Sequence, residues 1–600
     1  MISEMKVLGT LALLPAILCA ADWKAADSPL TTQWTSKVTP SNAWREYPRP
    51  QLQRANWTNL NGLWDYAIQP KEADRPAKYD GEILAPYPVE SALSGVKRPL
   101  TPAQRLWYRR TFNAPLTKGS RMLLHFGAVD WRTEVWVNGT SAGKHDGGYD
   151  PFTFDITDEL KPGAAAQEIV VAVWDPTDTE VHPRGKQVLD PNGIWYTAVS
   201  GIWQTVWLEP VTPSYIDELK LVPDVDGQQL KITVRGSGSG DFIAVAKLHN
   251  KEVGHATGAL NSEVNMPLTA MELWSTESPA LYDLDVKLKS GDAVTSYFGM
   301  RKVEVRKDAA GVTRIFLNNS PRFLIGPLDQ GWWPDGLYTA PTDEASRYDI
   351  EMLKKMGFNM LRKHVKVEPE RFYYWCDKLG FMVWQDMPSA MSKSHPTGVK
   401  KGAPVDADFT ADEDSRFRTE LRAMIRHLQN YPSIVAWVPF NEGWGEHATN
   451  DILRMVKQLD PSRLVDAPSG WEDRGYGDMR DMHKYPGPDM YPPIEGRASV
   501  LGEFGGLGWP VEGHLWWNKR NWGYKTYTNQ ASLNAAYQDA VDKLEPLIRD
   551  GLSAAIYTQT TDVEGEVNGL MTYDRKVVKF DVARLAAIHA RLIGLLEKGK

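Results

Sequence analysis

Two glutamates are placed where they could do chemistry together. Glu442 ends the run Ser433-Ile-Val-Ala-Trp-Val-Pro-Phe-Asn-Glu442, and Glu503 follows the short apolar run Ser499–Gly502. Two carboxylic acids facing each other across a cleft are what cleavage of a glycosidic bond requires. One protonates the leaving oxygen while the other attacks the anomeric carbon or activates water. Other polar residues also stand just beyond short apolar runs: Asp329, Arg362, His364, Gln385, Asp386, Asn441, His483, Tyr485, Gln559 and Asp562. No His/Cys/Asp group has zinc-ligand spacing and no Gly-rich phosphate loop precedes a helix, so neither metal nor cofactor is expected. Plainer roles compete for each residue. An Asn-Glu pair arises readily by chance, and a glutamate after a strand often faces the N-terminus of the next helix. His364 equally suits a bond to a loop carbonyl. For Trp332, Trp333, Trp444, Trp509, Trp516, Trp517 and Trp522, taken singly, packing in the loop layer competes with stacking on sugar.

The elements that must position these residues show three periodicities. From about Trp44 to Pro210, short β runs such as Met122–Phe126, Thr133–Val137 and Ile169–Trp174 are separated by Gly, Pro, Asp and Asn, and Asn138-Gly139 is a hairpin turn signal. This predicts a β jelly-roll sandwich over residues 21–212. The alternation continues in Leu230–Arg235, Phe242–Lys247 and Tyr282–Leu288, predicting a small immunoglobulin-like β-sandwich over 213–305. Beyond that, helical faces alternate with apolar strands. Tyr348, Met352, Leu353 and Met356 lie on one helical face behind Thr342-Asp343-Glu344, and Phe417, Leu421, Met424, Ile425 and Leu428 on another. Eight candidate strands start near Phe323, Asn359, Phe381, Ser433, Leu464, Met479, Ser499 and Ala554. That number and order predict a (β/α)8 TIM barrel over 306–600, with its active site at the C-terminal ends of the strands.

Composition narrows the partners. With 68 Lys plus Arg against 76 Asp plus Glu and a formal charge of −8, the chain offers no broad cationic surface for nucleic acid. The 24 Trp are many, and flat amphipathic rings suit the apolar faces of sugars. At the N-terminus, Lys6 precedes the apolar run Val7–Leu18, then Cys19-Ala20-Ala21. At about twelve residues the run is too short to span a bilayer but fits a secretory leader over 1–20. Export to the periplasm or the exterior is therefore expected, with lipidation of Cys19 an alternative that Leu18 disfavours. Cys376 then remains alone, so no intramolecular disulfide can form. No later stretch reads as membrane-spanning.

The string Asn430-Tyr-Pro-Ser-Ile-Val-Ala-Trp-Val-Pro-Phe-Asn-Glu-Gly-Trp-Gly445 resembles the acid/base signature of glycoside hydrolase family 2, and Ser499-Val-Leu-Gly-Glu-Phe-Gly-Gly506 is similar to its nucleophile strand. Phe126–Asp130, Val135–Gly139, Gly147–Phe152 and Ser200–Trp207 resemble the family's sugar-binding domain, and Phe298–Lys302 its junction to the barrel. The resemblance implies a retaining exo-β-glycosidase acting on a glycoside or oligosaccharide. Glu442 would be the general acid/base and Glu503 the nucleophile, with carboxyls about 5 Å apart. Asn441 would contact the sugar 2-hydroxyl, and Arg362 would hold Glu503 ionised. Glu442 would be protonated at rest, helped by the charge of Glu503. His483 or Tyr485 would lie near the nucleophile. His364, Asp329, Asp386, Trp444 and Asp562 complete the expected sugar contacts.

The sequence departs from the family pattern in two places. Tyr557-Thr-Gln559 stands where members often carry Trp, and Gly565-Glu-Val-Asn-Gly569 stands where glucuronidases carry an Asn-x-Lys pair that reads the sugar carboxylate. Without that lysine a buried carboxylate would be unpaired. The expectation is therefore a neutral sugar, with β-galactosidase ahead of β-glucuronidase, β-mannosidase or arabinosidase; a noncatalytic carbohydrate-binding protein on a decayed barrel is the reading from another class. The chain ends near the expected end of the barrel, so the additional domains and magnesium site of the long lactose-cleaving members are not expected.

Overall fold

The computed structural model describes residues 23–597 apart from 115, 164 and 392–405. The expected leader, with Cys19, lies outside the described residues. Two antiparallel sheets form the first unit. One runs in the order Gly81–Ala85, Gly62–Pro70, Gln104–Phe112, Gln167–Trp174, Arg132–Val137, Thr140–Asp146; the other in the order Thr58–Asn59, Val206–Val211, Arg121–Phe126, Phe152–Asp155. Alternation drives this: Thr133, Val135 and Val137 point inward while Arg132, Glu134 and Trp136 are half-buried. At the Asn138-Gly139 hairpin both residues take positive φ, +50° and +88°, as a primed turn requires. The second unit packs Tyr215–Asp224, Gln229–Ser237 and Glu263–Pro267 on a four-stranded sheet of Lys251–Ala259, Asp241–Leu248, Tyr282–Leu288 and Ala293–Phe298. Ile232, Val234, Phe242, Leu284 and Phe298 fill its core.

The junction to the barrel is anchored by one side chain. The buried Arg301 guanidinium donates to the carbonyls of Pro432, Ile434 and Ser462 at 3.0, 2.7 and 3.0 Å. Val303–Lys307, which straddles the expected boundary, pairs with Thr313–Leu317. Ile315 and Leu317 of this hairpin pack under the barrel interior, against a core that includes Met382, Trp384, Val435 and Ile556.

The barrel strands, numbered here, are β1 Leu324–Asp329, β2 Met360–Lys363, β3 Met382–Asp386, β4 Ile434–Val438, β5 Leu464–Val465, β6 Met479–Lys484, β7 Ala498–Gly505 and β8 Leu552–Thr558. They form one parallel sheet in the order β5-β4-β3-β2-β1-β8-β7-β6, and the Asp466–Met479 bridge joins its two edges into a ring. All five residues of β4 are buried, as expected of a strand covered on both faces. Helix Asp343–Lys355 is capped by Thr342, whose Oγ1 accepts from Ala345 N at 3.1 Å. It buries Ala345, Asp349, Ile350 and Leu353; Tyr348 and Met352 of the expected stripe sit half-buried at its edge. Helix Ala411–Leu428 opens with a Thr410/Glu413 capping box and buries Phe417, Leu421, Met424, Ile425 and Leu428, the face its spacing predicts. Cys376 is buried in helix Glu370–Leu379 as a free thiol.

Candidate active site

The C-terminal ends of β2, β3, β4, β6 and β7 converge on one buried guanidinium. Arg362, on β2, is fully buried. It donates through Nε and Nη2 to the two oxygens of Asp386 on β3, each at 3.0 Å. Nη2 also reaches Asn441 Oδ1 and Ser469 Oγ, both at 2.8 Å, while Nη1 lies 3.4 Å from Glu503 Oε1. Burial opposes the charge on Arg362, but Asp386 and Glu503 outweigh it and raise its pKa. A planar fork with five donors can tie several strand ends together in this way; an ammonium could not.

Glu442 enters at the end of β4 through a sharp turn. Its φ is +53°, and Gly443 and Gly445 follow at +80° and +67°. A left-handed glutamate is uncommon backbone and is held here by Glu442 N donating to Ser469 O at 2.9 Å. Its side chain meets His483 of β6, whose Nδ1 lies 2.8 Å from Glu442 Oε1 and 3.5 Å from Glu503 Oε2. Facing atoms of Glu442, His483 and Glu503 all lie within 4.8 Å of one another. This is the one group among the described residues with metal-ligand proximity, but the Arg362 charge beside it disfavours a cation.

Tyr485 donates to Glu503 Oε2 at 2.6 Å, shares a 2.6 Å contact with Thr558 Oγ1, and stacks on Tyr524 at 3.7 Å. Both candidates near the nucleophile are therefore in place, with His483 against Glu442 and Tyr485 against Glu503. Burial disfavours the His483 imidazolium, but Glu503, Asp481 and Glu442 together raise its pKa to about 10. Glu503 departs from expectation. Burial pushes its carboxyl up and the charge of Glu442 adds to this, so His483, Arg362 and Tyr485 offset the rise only in part. Asn441, 1% exposed, has its Oδ1 taken by Arg362, while its Nδ2 has no partner among the described residues. That amide is a free donor at the carboxylate pair.

Three expected sugar contacts are engaged by protein partners, although Asp562 Oδ2 is left without one among the described residues. Asp386 accepts from Arg362, from His364 Nδ1 at 2.9 Å and from Val365 N. Asp329 pairs with Lys363 at 2.7 Å, and Lys363 with Glu368 at 2.8 Å. Asp562 pairs with Lys579 at 2.6 Å and accepts from Gly569 N. In each case a buried carboxylate is stabilised by a buried cation that the linear order hides. His364 is buried, and burial together with Lys186 and Arg362 holds its pKa well below the usual range. Trp444 stands in an aromatic row, 5.0 Å from Trp195 and 6.4 Å from Trp471.

Reading outward from strand ends missed Ser469, Asp481, Tyr524, Lys186 and Glu566. Asp481 had a signal, the period-two alternation Met479, Asp481, His483 that points all three inward. Lys186 and Tyr524 had none, since they arrive from a different domain and a long loop.

The sugar-binding-domain model of glycosyl hydrolases family 2 matches residues 78–210, a second family model matches 214–301, and the family's TIM-barrel-domain model matches 340–484. A putative β-glucuronidase of Formosa agariphila is 28% identical over 61% of this chain and 34% of its own length. A β-galactosidase of Thermoanaerobacter pseudethanolicus is 26% identical over 72% of this chain and 57% of its own. The chain thus spans between about a third and three fifths of these curated relatives. Among solved structures, the β-D-glucuronidase of Dictyoglomus thermophilum aligns over 91% of this chain and 98% of its own, with TM-score 0.70 and 19% identity. The β-glucuronidase of Faecalibacterium prausnitzii aligns over 91% and 99%, with TM-score 0.72 and 21% identity. Three successive domains in one order, ending in a barrel with paired carboxylates, place this chain in glycoside hydrolase family 2.

Proposed function

We propose that the protein is a retaining exo-β-glycosidase that removes a terminal sugar in two displacements. The observation that carries this reading is the closeness of Glu442 and Glu503, whose facing oxygens lie within 4.8 Å. Retaining pairs stand about 5–5.5 Å apart, whereas inverting pairs need about 6.5–9.5 Å to admit water. Glu503, held by Tyr485 and Arg362, attacks the anomeric carbon as Glu442 gives its proton to the leaving oxygen. Glu442 then takes a proton from water, and the resulting hydroxide cleaves the glycosyl ester on Glu503. Asn441 Nδ2 is the free donor for a sugar hydroxyl at the reacting end. Exo action is supported by the jelly-roll segment that docks on the loop after β8: Tyr196 bonds Glu566 at 2.6 Å and Thr197 N bonds Glu564 at 2.8 Å.

A β-galactoside is the proposed substrate. At the stretch 565–569, Glu566 brings a carboxylate where a uronate reader would bring an ammonium, and Asn568 is spent on Gln559 and Glu566. A β-glucuronide is the second reading, favoured by one observation, the buried ammonium of Lys186 in the same mouth. Turnover of matched aryl β-galactoside and β-glucuronide, with NMR of the first-formed anomer, tests both levels. An inverted product overturns the mechanism, and a clear preference for glucuronide overturns the sugar. Export is proposed from the N-terminal segment, and sequencing the N-terminus of the mature protein checks it.

A further inference from the structure

Lys186 belongs to the jelly-roll unit, yet it ends inside the barrel mouth. Its loop is stitched to the barrel: Arg184 N and Gly185 N donate to Ser389 O at 3.1 and 3.2 Å, Arg184 Nε donates to Met391 O at 2.9 Å, and Pro183 bridges Ala390. Gly185 sits at φ +61°, and a Cβ there would lie 2.5 Å from Val365 O, so only glycine lets the loop close on the end of β2. The Lys186 side chain that follows is 5% exposed. Its Nζ makes no hydrogen bond or ion pair with any described residue and lies 5.5 and 5.9 Å from the ring centres of Tyr196 and Trp444, near the limit of a cation–π contact. The ammonium itself is not sealed from solvent, so a ligand oxygen can reach it.

Its neighbours give its position. Tyr196, over whose ring Nζ lies, carries the hydroxyl that holds Glu566, and Trp444, the other ring it faces, stands two residues beyond Glu442. Glu566 is 2% exposed and aimed by Tyr196 Oη at 2.6 Å and by Gln559 Nε2 and Asn568 Nδ2 at 3.2 Å each. Three donors leave room at a carboxylate with about four acceptor sites.

We propose that Lys186 and Glu566 form an opposed donor–acceptor pair that reads two hydroxyls of the terminal sugar. The jelly-roll unit then supplies a specificity-determining residue of the active site. The proposal rests on the reading of the site as a retaining exo-β-glycosidase. Hydroxyls fit the pair better than a carboxylate because Glu566, Glu503 and Asp481 already crowd carboxyl groups into this site. A uronate would add another anion beside them, whereas a polyol satisfies the ammonium without adding charge.

The test compares wild type with Lys186→Met and Lys186→Arg on 4-nitrophenyl β-galactoside, its 4-deoxy and 6-deoxy analogues, and the β-glucuronide. Lys186→Met is expected to lower kcat/KM on the parent galactoside about 10- to 100-fold, the worth of a hydrogen bond to a charged donor. The loss should be only about two- to threefold on the deoxy sugar that lacks the hydroxyl read by Lys186. Lys186→Arg, which keeps the charge and the packing of the loop, is expected to show the same dependence on the deoxy position in weaker form. Equal losses on parent and deoxy sugars in both variants would show a purely structural role and overturn the proposal, as would no loss at all. Wild-type turnover of glucuronide that Lys186→Met selectively removes would also overturn it, because the ammonium would then read a carboxylate. If the galactoside is cleaved through Glu503 while both Lys186 variants are silent, only this proposal falls. If wild type cleaves no neutral glycoside, the sugar reading falls with it.

Discussion

His483 Nδ1 lies 2.8 Å from Glu442 Oε1, so the two reach one another from β6 and from the turn after β4 although 41 residues separate them. The same nitrogen is 3.5 Å from Glu503 Oε2, which makes one imidazole the bridge between the two carboxylates. Asp481 lies on its other side, 3.4 Å from Nε2. A ring set between Glu503 and Asp481, with Glu442 at its Nδ1, is stabilised as the cation, and that cation lets two glutamates sit close together in a buried mouth.

The bridge predicts a pH dependence of stability. His483 binds its proton more tightly folded, with a pKa of about 10, than unfolded, near 6.5. Its contribution is therefore complete below about pH 6.5 and is lost as pH rises toward 10. The melting temperature of wild type should exceed that of His483→Phe most at pH 6, and the gap should shrink steadily by pH 10. A gap that widens with pH would show that the ring is neutral in the folded protein.

Replacing Glu503 with Gln should lower turnover by at least about three orders of magnitude, since the amide cannot form the glycosyl ester. The fold should persist because Gln keeps the shape of a side chain that is 5% exposed. Circular dichroism and aryl glycoside kinetics together check this, and activity within tenfold of wild type would remove Glu503 from the mechanism.

Glu442→Ala should separate the two steps. Substrates with good leaving groups need little protonation and should still form the glycosyl–enzyme, whereas poor leaving groups should lose about 10²–10⁴ in rate. Added azide should restore the second step and give a glycosyl azide of retained configuration. A uniform loss across leaving groups, with no azide product, would assign Glu442 another role.

Arg362→Met should destabilise the barrel by about 3–5 kcal/mol, because it strands the buried charge of Asp386. Arg362→Met combined with Asp386→Leu should recover part of that loss, since the stranded charge of Asp386 is then removed. Calorimetry of the two variants decides the point: an additive double variant would mean that the pair is not coupled.

Much of the architecture could be read in the linear chain because local patterns report on burial. Alternation in Arg132–Val137 and Tyr282–Leu288 announces half-buried strands, the continuous apolar run of β4 a strand covered on both faces, and the 417–428 stripe a helix seated on the sheet. From eight such strands the barrel follows, and from the barrel the rule that residues just past strand ends share a mouth, which is how Glu442, Glu503, Arg362, His483 and Tyr485 could be singled out. Tertiary structure alone decided which polar groups neutralise one another. Asp329 and Asp386 end their strands and Asp562 follows β8, at the same face of the barrel as Glu503, yet Lys363, Arg362 and Lys579 claim them, and pairing depends on distance in space rather than on order in the chain. The same holds for Lys186, which lies 256 residues before Glu442 and reaches the mouth only because Gly185 lets one domain close on another. Sequence patterns carry the periodicity of backbone elements, whereas charge balance in a buried site is a sum over neighbours that only folding brings together.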